Sequence, residues 1–234
     1  MSRKKLIITG AVLAVVVLIG GLLAYFTDTT EVTHNTFTVG EKVDITLTET
    51  WNPKNGEGLS AGKTVEKVPV INNVSTTTSA YVFIKVVVPK YFDKTANSGA
   101  GAWVEAFSYT TNSGWSEITS NLNAGTSTPA VHMYAYAENA NSGTMTTLTN
   151  STSTTALFNN VTFLPGKGND FVFTPVASYS ATPTGAEVLT PMDLDLTGYA
   201  IQTNGLTKTT DSRQDATTAQ DIYACLAAEL SLTL

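Results

Sequence analysis

Ten consecutive residues, AYVFIKVVVP at positions 80–89, constrain the fold more than any other stretch. In an extended chain alternate side chains point to opposite faces. Tyr81, Phe83 and Val87 therefore share one face, while Val82, Ile84, Val86 and Val88 share the other. Both faces are apolar, and β-branched and aromatic residues suit a pleated backbone. Such a strand belongs in the middle of a sheet covered by a layer on each side. The chain must therefore supply further strands and a covering layer from the remaining sequence.

Other segments follow the same period. Val43, Ile45 and Leu47 alternate with Asp44, Thr46 and Thr48, as in a strand with one buried face. Residues 65–72 form a second strand, in which Pro69 lacks a ladder donor and so favours an edge or a bulge. Residues 103–109 and 115–118 flank Asn112-Ser113-Gly114 and read as a hairpin, and residues 131–137, VHMYAYA, as another strand. Residues 139–155 are almost purely polar and read as a solvated loop. Residues 170–175 alternate through Phe171 and Phe173, and residues 192–202 form the next clear strand. Ile222, Cys225, Leu226 and Leu230 recur at helical spacing, so residues 215–230 are expected to form a helix with Asp215 as its cap. Residues 230–234 alternate and suit either a terminal strand or a frayed end. The expected fold is mainly β, with an irregular insertion over about 91–160 and one short C-terminal helix.

The N-terminus sets the compartment. Arg3, Lys4 and Lys5 precede a mostly apolar run of 18 residues, 6–23, and the small residue Ala24 stands before Tyr25. This is the pattern of a secretory signal peptide cut between Ala24 and Tyr25. As a helix the run would span roughly 27 Å, close to a hydrocarbon core, so a retained anchor is the competing reading, and a pilin-type cut at the basic end a third. Residues 1–24 are thus assigned as the leader, 25–40 as an extended N-terminal segment and 41–234 as one domain. Charged residues make up only 14% of the chain, and the net charge of −6 argues against nucleic-acid binding, which needs a basic footprint. The single Cys225 excludes an intramolecular disulfide.

In the segment 25–39, Tyr25, Phe26, Val32, Phe37 and Val39 are scattered among Thr, Asp and Asn. They are too sparse to build a core, yet they favour an extended chain that pairs when a sheet edge is offered. The other reading is an unstructured mature N-terminus. Residues for chemistry are few. The only histidines are His34 and His132, so no HExxH zinc motif exists, and no GxSxG turn presents a serine. His132, beside Met133 and Tyr134, is expected as a structural histidine. Asp193 and Asp195 share a strand face, a spacing usable by Ca2+ only if further oxygens converge. Asn73-Val74-Ser75, Asn150-Ser151-Thr152 and Asn160-Val161-Thr162 match the glycosylation pattern, as chance allows in a chain rich in these residues. No catalytic residue, metal or cofactor is expected.

Several of these features resemble the TasA/camelysin family of exported proteins. They are the junction Leu23-Ala24-Tyr25-Phe26-Thr27-Asp28, then Glu31-Val32 and Asn35-Thr36-Phe37 before Gly40, and the strand KVDITLTE. Residues 59–73 with KVPVINN, the strand at 80–89, and Gly198-Tyr199-Ala200-Ile201-Gln202 with Gly205 ahead of the helix complete the match, which covers roughly half of the mature chain. The resemblance implies a jelly-roll-like antiparallel β-sandwich, secreted to the cell surface or extracellular matrix after cleavage by a SipW-type signal peptidase. It further implies a head-to-tail homopolymer, a biofilm-matrix fibre, in which the N-terminal strand of one subunit inserts into the next. An accessory anchoring or nucleating protein is a possible further partner. The membrane is involved only through the leader. A membrane-anchored monomeric adhesin is the alternative, and a camelysin-like metallopeptidase a minor one.

Overall fold

The strand with two apolar faces is an inner strand of the largest sheet. A computed structural model describes residues 42–57, 62–93, 96–138, 145–164, 171–172, 193–211 and 214–232. In it β4 (Ala80–Val88) lies between β9 (Ala130–Tyr136) and β12 (Asp195–Gln202), with β8 (Trp115–Asn121) beyond β9. All three ladders are antiparallel, and β8 shifts register between Glu117 and Thr119. Both faces of β4 are covered, as its sequence requires. Val82, Ile84, Val86 and Val88 join the core between the two sheets. Phe83, with Met133 and Ile201, packs under the helix α1 (Ala219–Leu230) through Ile222 and Leu226.

The facing sheet is built around β2 (Thr64–Glu66) and β3 (Val68–Asn73), one extended run interrupted at Lys67. β1 (Ile45–Thr50) pairs with one side of β3. Residues 151–159, leading into β10 (Asn160–Phe163), run along the other side, and β7 (Phe107–Tyr109) pairs with β10. The Lys67 N–H donates to Asn159 O, which carries the pairing across the interruption. Pro69 is therefore interior, with a bulge opposite it. Leu157 N–H donates to Pro69 O and Thr154 N–H to Ile71 O, so one strand advances three residues while the other advances two.

Passing round the two sheets, the order is β1, β2–β3, residues 151–163, β7, β8, β9, β4, β12 and back to β1. That is the ring order of a jelly roll. The fold is thus a mainly β, jelly-roll-like antiparallel sandwich with one helix near the C-terminus. Residues Gly40–Leu234 cluster as one compact unit.

The stretch 91–160, expected as an insertion, contributes strands to both sheets. It also carries β5 (Lys90–Asp93) and β6 (Ala102–Glu105), a hairpin extended by β11 (Phe171–Val172). Its turn needs Gly101, whose φ is +78° and whose added Cβ would lie 2.5 Å from the Phe92 ring. The hairpin expected around Gly114 does not form, because β7 and β8 belong to different sheets and the turn carries the chain across the rim. Nor are residues 145–155 a solvated loop: Met145 and Leu148 are buried, and Leu148 exchanges two main-chain hydrogen bonds with Ala80. Helix α1 is capped by Thr218, whose Oγ1 accepts from Asp221 N–H, whereas Asp215 bridges to Thr207. Leu230 is half-exposed, outside the buried stripe. Asn73 is buried, and its amide nitrogen donates to Thr78 O and Leu148 O, which removes it as a glycosylation acceptor in the folded chain. Residues 233–234, the last two of the five expected as a terminal strand, lie outside the described residues, while Leu230 ends the helix and Ser231 is its C-cap.

Candidate functional site

The residues singled out for processing and polymerisation, Ala24, Tyr25, Phe26, Val32, Phe37 and Val39, lie outside the described residues, as does His34. The structure describes instead what an incoming strand would meet. Among the described residues β1 pairs only with β3, and β12 only with β4, so each presents an open edge.

The direction of the main chain at these edges follows from the bonds on the far side of each partner. Pro69, Ile71 and Asn73 turn their main-chain groups toward residues 151–159. In antiparallel pairing such orientation alternates, so Val68, Val70 and Asn72 bond Thr50, Thr48 and Thr46. Ile45, Leu47 and Glu49 are left with N–H and C=O directed away from the sheet. The same argument applies to β12. Ala80 turns toward Leu148, so Tyr81, Phe83 and Lys85 bond Ile201, Tyr199 and Thr197, and Leu196, Gly198 and Ala200 face outward along the backbone.

At both edges the residues with open main-chain groups are, apart from Glu49, which is exposed and pairs with Lys67, those on the face turned to the other sheet. Ile45, Leu47, Leu196 and Ala200 are only half-buried against the main core. The two edges approach at Gly198, where an added Cβ would stand 3.6 Å from both Ile45 Cδ1 and Leu47 Cβ. The opposite face of β1 carries Thr46, Thr48 and Thr50, all exposed. An added strand at either edge would gain ladder hydrogen bonds and complete the burial of this apolar row. At about 1.5–3 kcal/mol for a whole side chain, covering the exposed half of Ile45, Leu47 and Leu196 contributes roughly 1 kcal/mol each.

The other rim of the sandwich, where β7 and β8 diverge, carries the ionisable groups. His132 on β9 is buried, with Nδ1 2.8 Å from Glu117 Oε1 on β8 and Nε2 3.3 Å from Glu105 Oε2 on β6. The Glu105 contact is not aligned as a hydrogen bond, and Nε2 has no such partner among the described residues. Proximity of the Glu105 carboxylate, then that of Glu117, raises the imidazole pKa against the opposing effect of burial. Tyr109 and Tyr134 share a hydroxyl–hydroxyl hydrogen bond of 3.1 Å. Burial pushes the Tyr134 phenol up to about 12 and the Tyr109 phenol higher still, so both stay protonated.

Sequence spacing locates His132 on a strand but not its carboxylate partners, which come from two other strands. The two ring nitrogens diverge, so Glu105 and Glu117 address opposite sides of the imidazole. Among the described residues no three His, Cys, Asp or Glu side chains form a group suited to a metal ion. Asp193 and Asp195 are both exposed. No described helix is long and apolar enough to cross a membrane. Compared with protein-family models, curated proteins and solved structures, the chain matches none.

Proposed function

We propose that this chain is the structural subunit of an extracellular fibre, in which the N-terminal segment 25–39 of one copy adds as a strand to an open edge of the next. The observation that carries the reading is the pair of edges on β1 and β12. Each combines outward main-chain groups with inward, half-covered apolar side chains. Natural sheets ordinarily blunt such an edge with charge, proline or a covering element; here Glu49, paired with Lys67, is the one charge among the outward-facing residues of the two edges. The segment 25–39 has complementary properties: β-branched and aromatic residues, no capacity for a core of its own, and a position immediately before β1. Strand addition of this kind joins two different surfaces and does not close on itself, so repetition yields a filament.

Cleavage between Ala24 and Tyr25 is then the step that permits assembly, since a segment held by the leader cannot reach a neighbour. The length of the apolar run, 6–23, favours a second reading, an anchored monomeric surface domain. The N-terminus of the mature protein separates the two. The direct test is electron microscopy of the chain from Tyr25 onward beside one from Gly40 onward. The proposal expects filaments from the first and monomers from the second. Filaments from both would place the joint elsewhere.

A further inference from the structure

Asparagine stands directly before glycine at Asn55-Gly56 and at Asn204-Gly205. This pairing favours one intramolecular reaction, because glycine has no side chain to hinder its own main-chain nitrogen and few limits on its conformation. That nitrogen attacks the asparagine Cγ and gives its proton to solvent, and the side-chain amide leaves as ammonia. The cyclic imide then takes up one water molecule and opens to aspartate, or to isoaspartate, in which the main chain runs through the former side chain. Nothing is oxidised or reduced, and solvent water is the only co-reactant.

The fold treats the two pairs differently. Asn55 and Gly56 belong to the short 3-10 helix Pro53–Gly56, capped by Asn52, whose Oδ1 accepts from Lys54 N–H. Asn55 N–H donates to Asn52 O and Glu57 N–H to Lys54 O, so the main chain is tied on both sides of the reacting bond. The Trp51 ring lies against Gly56, where an added Cβ would stand 3.0 Å from it. Ring closure there requires the turn to open first. Asn204 and Gly205 instead follow the last ladder pair of β12, Gln202 with Ala80, and precede the bridge of Thr207 to Asp215. Both are exposed. Gly205 has a φ of +75°, and an added Cβ there would meet nothing within 4 Å. Among the described residues neither the Asn204 amide nor the Gly205 N–H has a hydrogen-bond partner. No bond has to break before Cγ swings toward the Gly205 nitrogen.

We propose that Asn204 is a modification site, converting in the folded protein to aspartate and isoaspartate through attack by the Gly205 nitrogen, while the turn around Trp51 holds Asn55 back. The product puts a new carboxylate where β12 hands the chain on toward α1, and isoaspartate also lengthens the main chain there by one carbon. Neither change touches a ladder bond of β12, and Ile201 is the last buried residue of that strand. The altered chain therefore stays folded, and the converted fraction grows with the age of the folded protein.

The test is peptide mapping by mass spectrometry of the full chain, kept folded in warm, mildly alkaline buffer beside a parallel sample unfolded in urea. In urea both pairs lack structure and should convert at similar rates. In the folded chain Asn204 should convert at least about tenfold faster than Asn55, because a reaction that waits for local opening is slowed by the opening equilibrium. It should also keep close to its own rate in urea. Asn204→Gln, whose longer side chain closes such a ring poorly, should lose the first acidic form that ion exchange separates from the parent, with the melting temperature unchanged. Conversion of Asn55 as fast as Asn204 in the folded chain would overturn the inference. So would a folded-state rate at Asn204 about tenfold or more below its rate in urea, or the same first acidic form persisting at the parental level in Asn204→Gln.

Discussion

Replacing Gly198 tests the closure of the two sheets at the joining rim. Its φ lies outside the left-handed region, so an L-residue is admissible. An alanine Cβ there would sit 3.4 Å from Ile71 Cδ1 and 3.6 Å from Ile45 Cδ1 and Leu47 Cβ, ordinary van der Waals contact. Gly198→Ala therefore gains about 0.4–1 kcal/mol from the unfolded chain and up to about 0.8 kcal/mol from one buried carbon. The sum is roughly 0.4–1.8 kcal/mol, a melting-temperature rise of about 1–7 °C for a domain of this size. Valine reverses the sign. Its two methyl groups extend past a shell already in contact and must displace Ile45 or Leu47, an overpacking cost of about 1–3 kcal/mol. Thermal unfolding by circular dichroism on both variants measures the difference, and the contrast within the pair controls for backbone effects. Destabilisation by alanine, or neutrality of valine, would refute the packing of β1 on β12. The valine variant should also assemble filaments more slowly, because β1 is pushed off the line an incoming strand follows.

Three further outcomes follow from particular contacts. The raised pKa of His132 gives a contribution to stability that is complete below its unfolded value of about 6.5 and lost as pH climbs through the higher folded value. Urea midpoints should fall across that window and flatten in His132→Gln; a midpoint that rises with pH there would contradict the Glu105–His132–Glu117 arrangement. Thr218→Ala should cost about 1 kcal/mol by loss of the cap on α1, while Asp215→Ala costs less. Equal effects in urea titrations would return the cap to Asp215. Lys67 is buried, stands 2.5 Å from Glu49 and lies 5.1 Å from the centre of the Trp51 ring. Because the Glu49 side chain is one-third exposed, Lys67→Ala should cost only about 1–2 kcal/mol, and 1 M salt should shrink the gap between mutant and parent.

The parts of the fold legible in the sequence are those set by apolar periodicity. β4 announces itself as central because both its faces are apolar, and β1, β9 and β12 follow from alternation. Residues 145–159 were illegible for a physical reason. Their place in the sheet depends on main-chain pairing with Ala80, Ile71 and Asn73 and on Thr154 Oγ1 accepting from Ile71 N–H. A polar stretch held by main-chain and hydroxyl hydrogen bonds looks like a loop to any rule based on apolar alternation. Phe158 and Leu157 are its only large fully buried anchors. The hairpin expected around Gly114 fails similarly, since turn chemistry says that the chain reverses but not whether the next strand stays in the same sheet. At the β7 rim, spacing along the chain could not bring Glu105 and Glu117 to His132. Their meeting depends on β8 pairing beside β9 and on β6, from another sheet, ending against them.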